Sequence, residues 1–114
     1  MEPIQVRSQI WESLVTMLRV YAHAASLSGE EYVVTTLSNR AWVKHGDCSL
    51  IICFRPQTGA STWRLIQPEQ ETWGEFQIEK DGALTFPDGE KPLDTAAIDW
   101  MEQLVHATRA SGIS

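Results

Sequence analysis

The apolar positions of this chain change their period twice, and the changes divide it into three zones. Between residues 4 and 27, Ile10, Trp11, Leu14, Val15, Leu18, Tyr21, Ala22 and Ala25 recur at intervals of three and four, which places them on one stripe of an α-helix. Pro3 suits the first turn of that helix, and Ser28-Gly29 supplies a stop, since glycine tolerates the left-handed conformation in which helices end. From Glu31 to Phe86 the period shortens to two, with β-branched and aromatic residues gathered in short runs. Strands are expected near 31–38, 41–45, 48–55, 61–67, 71–79 and 83–86. Ser38-Asn39-Arg40, Gly46-Asp47, Pro56 to Ala60, Pro68-Glu69-Gln70 and Lys80-Asp81-Gly82 separate them, and Asp81-Gly82 is the strongest hairpin signal. Beyond the Pro87-Asp88-Gly89 turn and Pro92, Asp94 stands as an N-cap ahead of Ala97, Met101, Leu104, Val105 and Thr108. This pattern predicts a second amphipathic helix ending near Gly112.

Every connection between the strands is too short for a crossover helix, so consecutive strands should pair antiparallel, as a meander of about five to six strands. Each terminal helix carries a single apolar stripe, which predicts that both lie on one sheet face. The expected architecture is an α+β two-layer sandwich formed by residues 1–114 as one domain. Leu14, Leu18, Leu50, Ile52, Phe54, Met101 and Leu104 are its expected core. This order of elements resembles the frataxin-like sandwich and, more distantly, small secretion-chaperone folds. The resemblance implies a metal-handling function, because frataxins use acidic residues along the first helix and adjoining strand to bind iron. Here helix 1 offers only Glu2 and Glu12.

Charge sharpens the contrast. The net charge of −6 is unevenly placed: residues 69–102 hold ten acidic residues against Lys80 and Lys91, a balance of −8, leaving +2 elsewhere. Such totals disfavour a duplex nucleic-acid groove. The opening residues show no basic region followed by an apolar run, and no stretch of about 18 apolar residues occurs, so the expected setting is cytoplasmic, without a membrane partner. Cys48 and Cys53 lie five positions apart in one strand, roughly 16 Å and out of reach of a disulfide.

Catalytic templates are missing from the chain. It has no Gly-x-Ser-x-Gly elbow, phosphate loop, dinucleotide fingerprint or Cys-x-x-Cys, and no catalytic residue, cofactor or metal ligand is assigned. Cys48, three residues from His45, could be activated as a thiolate, although a small hydrophobe beside a turn histidine is the simpler reading. Glu102 and His106 stand one helical turn apart and could offer two metal ligands, but a site needs three or four. His23 has no matching partner.

Tryptophan is the unusual feature, at five in 114 residues. Trp11 and Trp100 belong on helix stripes, and Trp63 shares a strand face with Leu65, so all three are expected in the core. Trp42 and Trp73 differ. Side chains two apart on a strand share a face, so Trp42 goes with Arg40 and Lys44, and Trp73 with Glu71 and Glu75. The strand at 48–55 is apolar on both sides, with Ile51, Cys53 and Arg55 opposite Leu50, Ile52 and Phe54. The face away from the helices is therefore expected to hold Trp42, Trp73, Ile51 and Cys53, rimmed by Arg40, Lys44 and Arg55. An apolar patch with a charged rim is the character of an interaction surface. The leading expectation is a non-enzymatic binding or assembly module that meets a protein partner or a second copy through this face. Two alternatives stand beside it: a small-molecule or metal-handling protein, and a single-stranded nucleic-acid binder using Arg40, Trp42, Lys44, Arg55 and Arg64.

Overall fold

The computed structural model describes residues 3–27, 29 and 31–111; Ser28 and Gly112, expected at the two helix ends, and Glu2 lie outside them. Helix α1 spans Pro3–Ser26, and strands β1 Val33–Leu37, β2 Arg40–His45, β3 Cys48–Phe54, β4 Ala60–Ile66, β5 Glu71–Ile78, β6 Ala83–Phe86 and β7 Gly89–Pro92 follow, before helix α2, Leu93–Ser111. The strands form one antiparallel meander in sequence order. Six strands fall where the alternation predicts them. The seventh, β7, does not follow from the pattern: Gly-Glu-Lys-Pro carries no apolar alternation, and it pairs because the Phe86–Gly89 turn folds it back on β6.

Both helices lie on one side of this sheet. Trp11, Leu14, Leu18 and Ala22 of α1 and Ala96, Ala97, Trp100, Met101, Leu104 and Ala107 of α2 join the inward residues of the strands in one buried cluster. The alanines leave room for close approach between the elements. Helix α2 begins at Leu93, two residues earlier than the Thr95 start that a cap at Asp94 implies. Asp94 stands in the first turn instead, where its Oδ1 accepts the Thr95 N–H at 2.8 Å and its charge meets the positive end of the helix dipole.

Turn chemistry fixes the register. Between β5 and β6, Glu79 and Ala83 bracket the turn through the Glu79 N–H, which donates to the Ala83 carbonyl at 3.0 Å, and Gly82 takes the positive-φ position (94°) that this hairpin type needs. Gly59 is buried at φ 79°, and a Cβ there would lie 2.6 Å from the carbonyl of Ile78, so no other residue fits this close backbone crossing. Ser38 is the one non-glycine residue at positive φ (45°) among those described. Its carbonyl accepts the Trp11 indole N–H at 3.2 Å, and the next carbonyl, Asn39, accepts the Phe54 N–H at 2.8 Å. The β1–β2 turn is thus tied to α1 and to β3, and this tethering holds an otherwise unfavourable conformation.

The core reading can be checked through Leu18, which is fully buried. Leu18→Ala should lower the unfolding free energy by about 2–5 kcal/mol in urea melts, and a loss below about 1 kcal/mol would contradict the assigned helix stripe.

Candidate functional site

The sheet face opposite the helices is assembled by parity and register. In β2, Ala41 and Val43 are buried beneath the helices, so Arg40, Trp42 and Lys44 face out. In β3, Cys48, Leu50, Ile52 and Phe54 point in, and Ser49, Ile51 and Cys53 point out, each half-buried. In β5, Phe76 and Ile78 point in, so Trp73 and Glu75 point out. Hairpin pairing then sets these residues in three rows across β2, β3, β4 and β5. Lys44, Ser49, Ile66 and Glu71 make one row, Trp42, Ile51, Arg64 and Trp73 the next, and Arg40, Cys53, Thr62 and Glu75 the third.

The middle row joins the two outward tryptophans, three strand spacings or roughly 14 Å apart, through Ile51 and Arg64. Trp73 is 62% exposed. Trp42 is half-buried, with the Arg40 guanidinium 5.6 Å from its ring centroid, a cation–π distance. Arg64 turns away along the sheet to Glu71, at 2.7 Å, and this pair is half-exposed. Charge is graded across the face: Arg40 and Lys44 stand on β2, Glu71 and Glu75 on β5.

Six of the candidate residues, Arg40, Trp42, Lys44, Ile51, Cys53 and Trp73, therefore share this face. Arg55 sits at its margin, just past β3, where its carbonyl accepts the Gly59 N–H at 2.7 Å. Together with Arg40 and Cys53 it lines a wide, open groove of about 1160 Å³ that runs over the strand ends toward Glu75, Gln77 and Thr85.

A second feature escaped the sequence reading. Strand β5 pairs with β6 only through Gln77 and Ile78. The Glu79 N–H reaches β6 at Ala83, whereas the Ile78 N–H reaches back to Gly59, so odd-numbered residues of β5 direct their backbone groups toward β6. Those of Trp73 and Glu75 have no strand neighbour there. The gap is a cleft of about 330 Å³ lined by Trp63, Trp73, Gly74, Phe86 and Trp100, with Lys91 and Asp99 paired at 3.2 Å on its wall. Phe86 and Trp100 of its lining pack against each other and against the buried Phe76, at centroid distances of 5.2–5.8 Å. The sequence did carry a signal: a glycine inside a strand marks a close approach, and a Cβ on Gly74 would lie 2.6 Å from the Trp63 indole nitrogen.

The remaining chemical candidates are dispersed. Cys48 is 1% exposed and points into the core. His45 stacks on Tyr32 at 4.6 Å and its Nδ1 lies 2.7 Å from the Glu31 carbonyl oxygen, so its ring is engaged in structure. Glu102 and His106 are exposed on α2, and His23 on α1. Among the described residues, no three His, Cys, Asp or Glu side chains are grouped as a metal site, and no helix is long and apolar enough to cross a membrane. Compared with known proteins, the chain matches no family model, no curated protein and no solved structure.

Gly74 offers a direct check on the cleft. Gly74→Ala should destabilise the protein by about 1–3 kcal/mol through overpacking against Trp63. Combined with Trp63→Leu, the same change should cost much less, a coupling readable in a double-mutant cycle. Equal costs in both backgrounds would show that the ring is not the obstacle.

Proposed function

We propose that the protein is a non-enzymatic binding or assembly module that acts through the uncovered sheet face. The observation that carries this reading is the Trp42–Ile51–Arg64–Trp73 row, which lies outside the core and is bordered by charges of opposite sign. Solvated strands seldom hold aromatic residues of this size in one row without a surface to meet. Tryptophan and arginine also dominate the energetics of protein interfaces. A nucleophilic role is poorly served by a thiol sealed in the core, and the acidic strand β5 repels a nucleic-acid backbone.

Association and stability should therefore separate. Threonine retains strand preference, so Trp42→Thr/Trp73→Thr should keep the circular dichroism spectrum and lose no more than about 1 kcal/mol of stability. Binding should weaken at least tenfold per ring, which corresponds to about 1.4 kcal/mol each. A double variant that unfolds would place the rings in the core instead. Hydroxyl-radical labelling supplies a test that needs no identified partner. Trp42 and Trp73 should label readily in dilute purified protein and be protected in extract of the source cells. Equal labelling under both conditions would contradict the proposal.

A further inference from the structure

Resting on that reading of the outer face, we propose that its partner is a second copy of this chain, docked face to face about a twofold axis that runs parallel to the strands, between β3 and β4. The supporting observation is the matched character of the two flanking strands. Strand β2 presents Arg40, Trp42 and Lys44, strand β5 presents Glu75, Trp73 and Glu71, and the ladder holds them at the same three levels. Rotation about the axis exchanges β2 with β5 and leaves the levels unchanged. Arg40 then faces Glu75 of the second copy, Trp42 faces Trp73, and Lys44 faces Glu71. Each contact occurs twice, as an isologous interface requires.

The charges also reject the competing arrangement. A twofold axis running across the strands would lay β2 on β2 and β5 on β5 and would invert the levels. It would oppose Arg40 to Lys44 and Glu71 to Glu75, like charges at both seams. In the favoured arrangement Ile51 meets the alkyl stem of Arg64, whose guanidinium is already held by Glu71 of its own chain at 2.7 Å. No unpaired charge is therefore driven into the centre.

Strand β1 lies one position outside β2, so the same rotation carries it one position outside β5. Its exposed Val33 and Leu37 then cover the strip where β5 runs unpaired beside the aromatic cleft. One symmetry operation thus covers three features that the described residues leave exposed: Trp73 at the end of the outward row, Val33 and Leu37 of β1, and the open edge of β5. The four central strands and three levels span roughly 19 by 17 Å. This is small beside a standard interface, so the dimer should form at roughly micromolar rather than nanomolar concentration.

Charge reversal tests the arrangement, and the Arg40–Glu75 row is the suitable one because Glu71 is tied to Arg64. Sedimentation velocity of the wild type should move from monomer to dimer as concentration rises. Arg40→Glu alone and Glu75→Arg alone should each associate roughly tenfold more weakly, since each places like charges at two contacts. An equimolar mixture should recover wild-type association, because both seams are again opposite in sign. Added salt should weaken the wild-type dimer without any substitution. A wild type that stays monomeric, variants that associate as well as the wild type, or a mixture no stronger than its components would each overturn the second copy. If the wild type stays monomeric while Trp42 and Trp73 are protected in extract, the face binds something else. Absence of both would end the binding-face reading as well.

Discussion

Side chains alternate along a strand, so each residue that β3 commits to the helices commits its neighbours to the other face. The structure depends on this constraint. Leu50, Ile52 and Phe54 are buried under α1 and α2, at 1–3% exposure, and their burial fixes Ile51 and Cys53 outward. The two helices of the described residues cover one side of the seven-stranded sheet. Strand β3 nevertheless keeps Ile51 and Cys53 on the uncovered side, beside Ser49. Polar residues there would leave the core intact, so the core gives no reason for Ile51, Trp42 or Trp73.

The same alternation accounts for the cleft. Gly74 and Phe76 share the inward face of β5, and the missing side chain at Gly74 is filled by the Trp63 ring. On the N-terminal side of Gln77, β5 has no partner in β6, because β6 ends at Phe86 and the chain turns there into β7, while Phe86 packs against Phe76 and Trp100. The rings of Phe86 and Trp100 line the space this leaves.

Much of this was legible in the sequence, because period alone specifies it. The helix stripes of Leu14 and Leu18 and of Met101 and Leu104, the six alternating strands and the outward parity of Trp42 and Trp73 all follow from counting residues. What period cannot supply is lateral position. That Lys44 shares a level with Glu71, and Arg40 with Glu75, depends on three successive hairpin registers, each fixed by turn geometry rather than by hydrophobicity. Strand β7 lacked any apolar alternation and was hidden for that reason. The ladder between β5 and β6 stops where β6 turns after Phe86, and the cleft beside it brings together Trp63, Phe86 and Trp100, residues far enough apart in sequence that no local pattern joins them.

On the proposed reading the tryptophans divide by task, with Trp11 and Trp100 holding the core and Trp42 and Trp73 serving association. The chain has five tryptophans, so incorporation of 5-fluorotryptophan yields five fluorine resonances, assignable by single Trp→Phe substitutions. Recorded over a series of protein concentrations, the Trp42 and Trp73 resonances should shift together with a common midpoint, while that of Trp11, buried on the helix side of the sheet, stays fixed. Trp42 and Trp73 resonances that do not move across the series, or a Trp11 resonance that moves with them, would contradict the account.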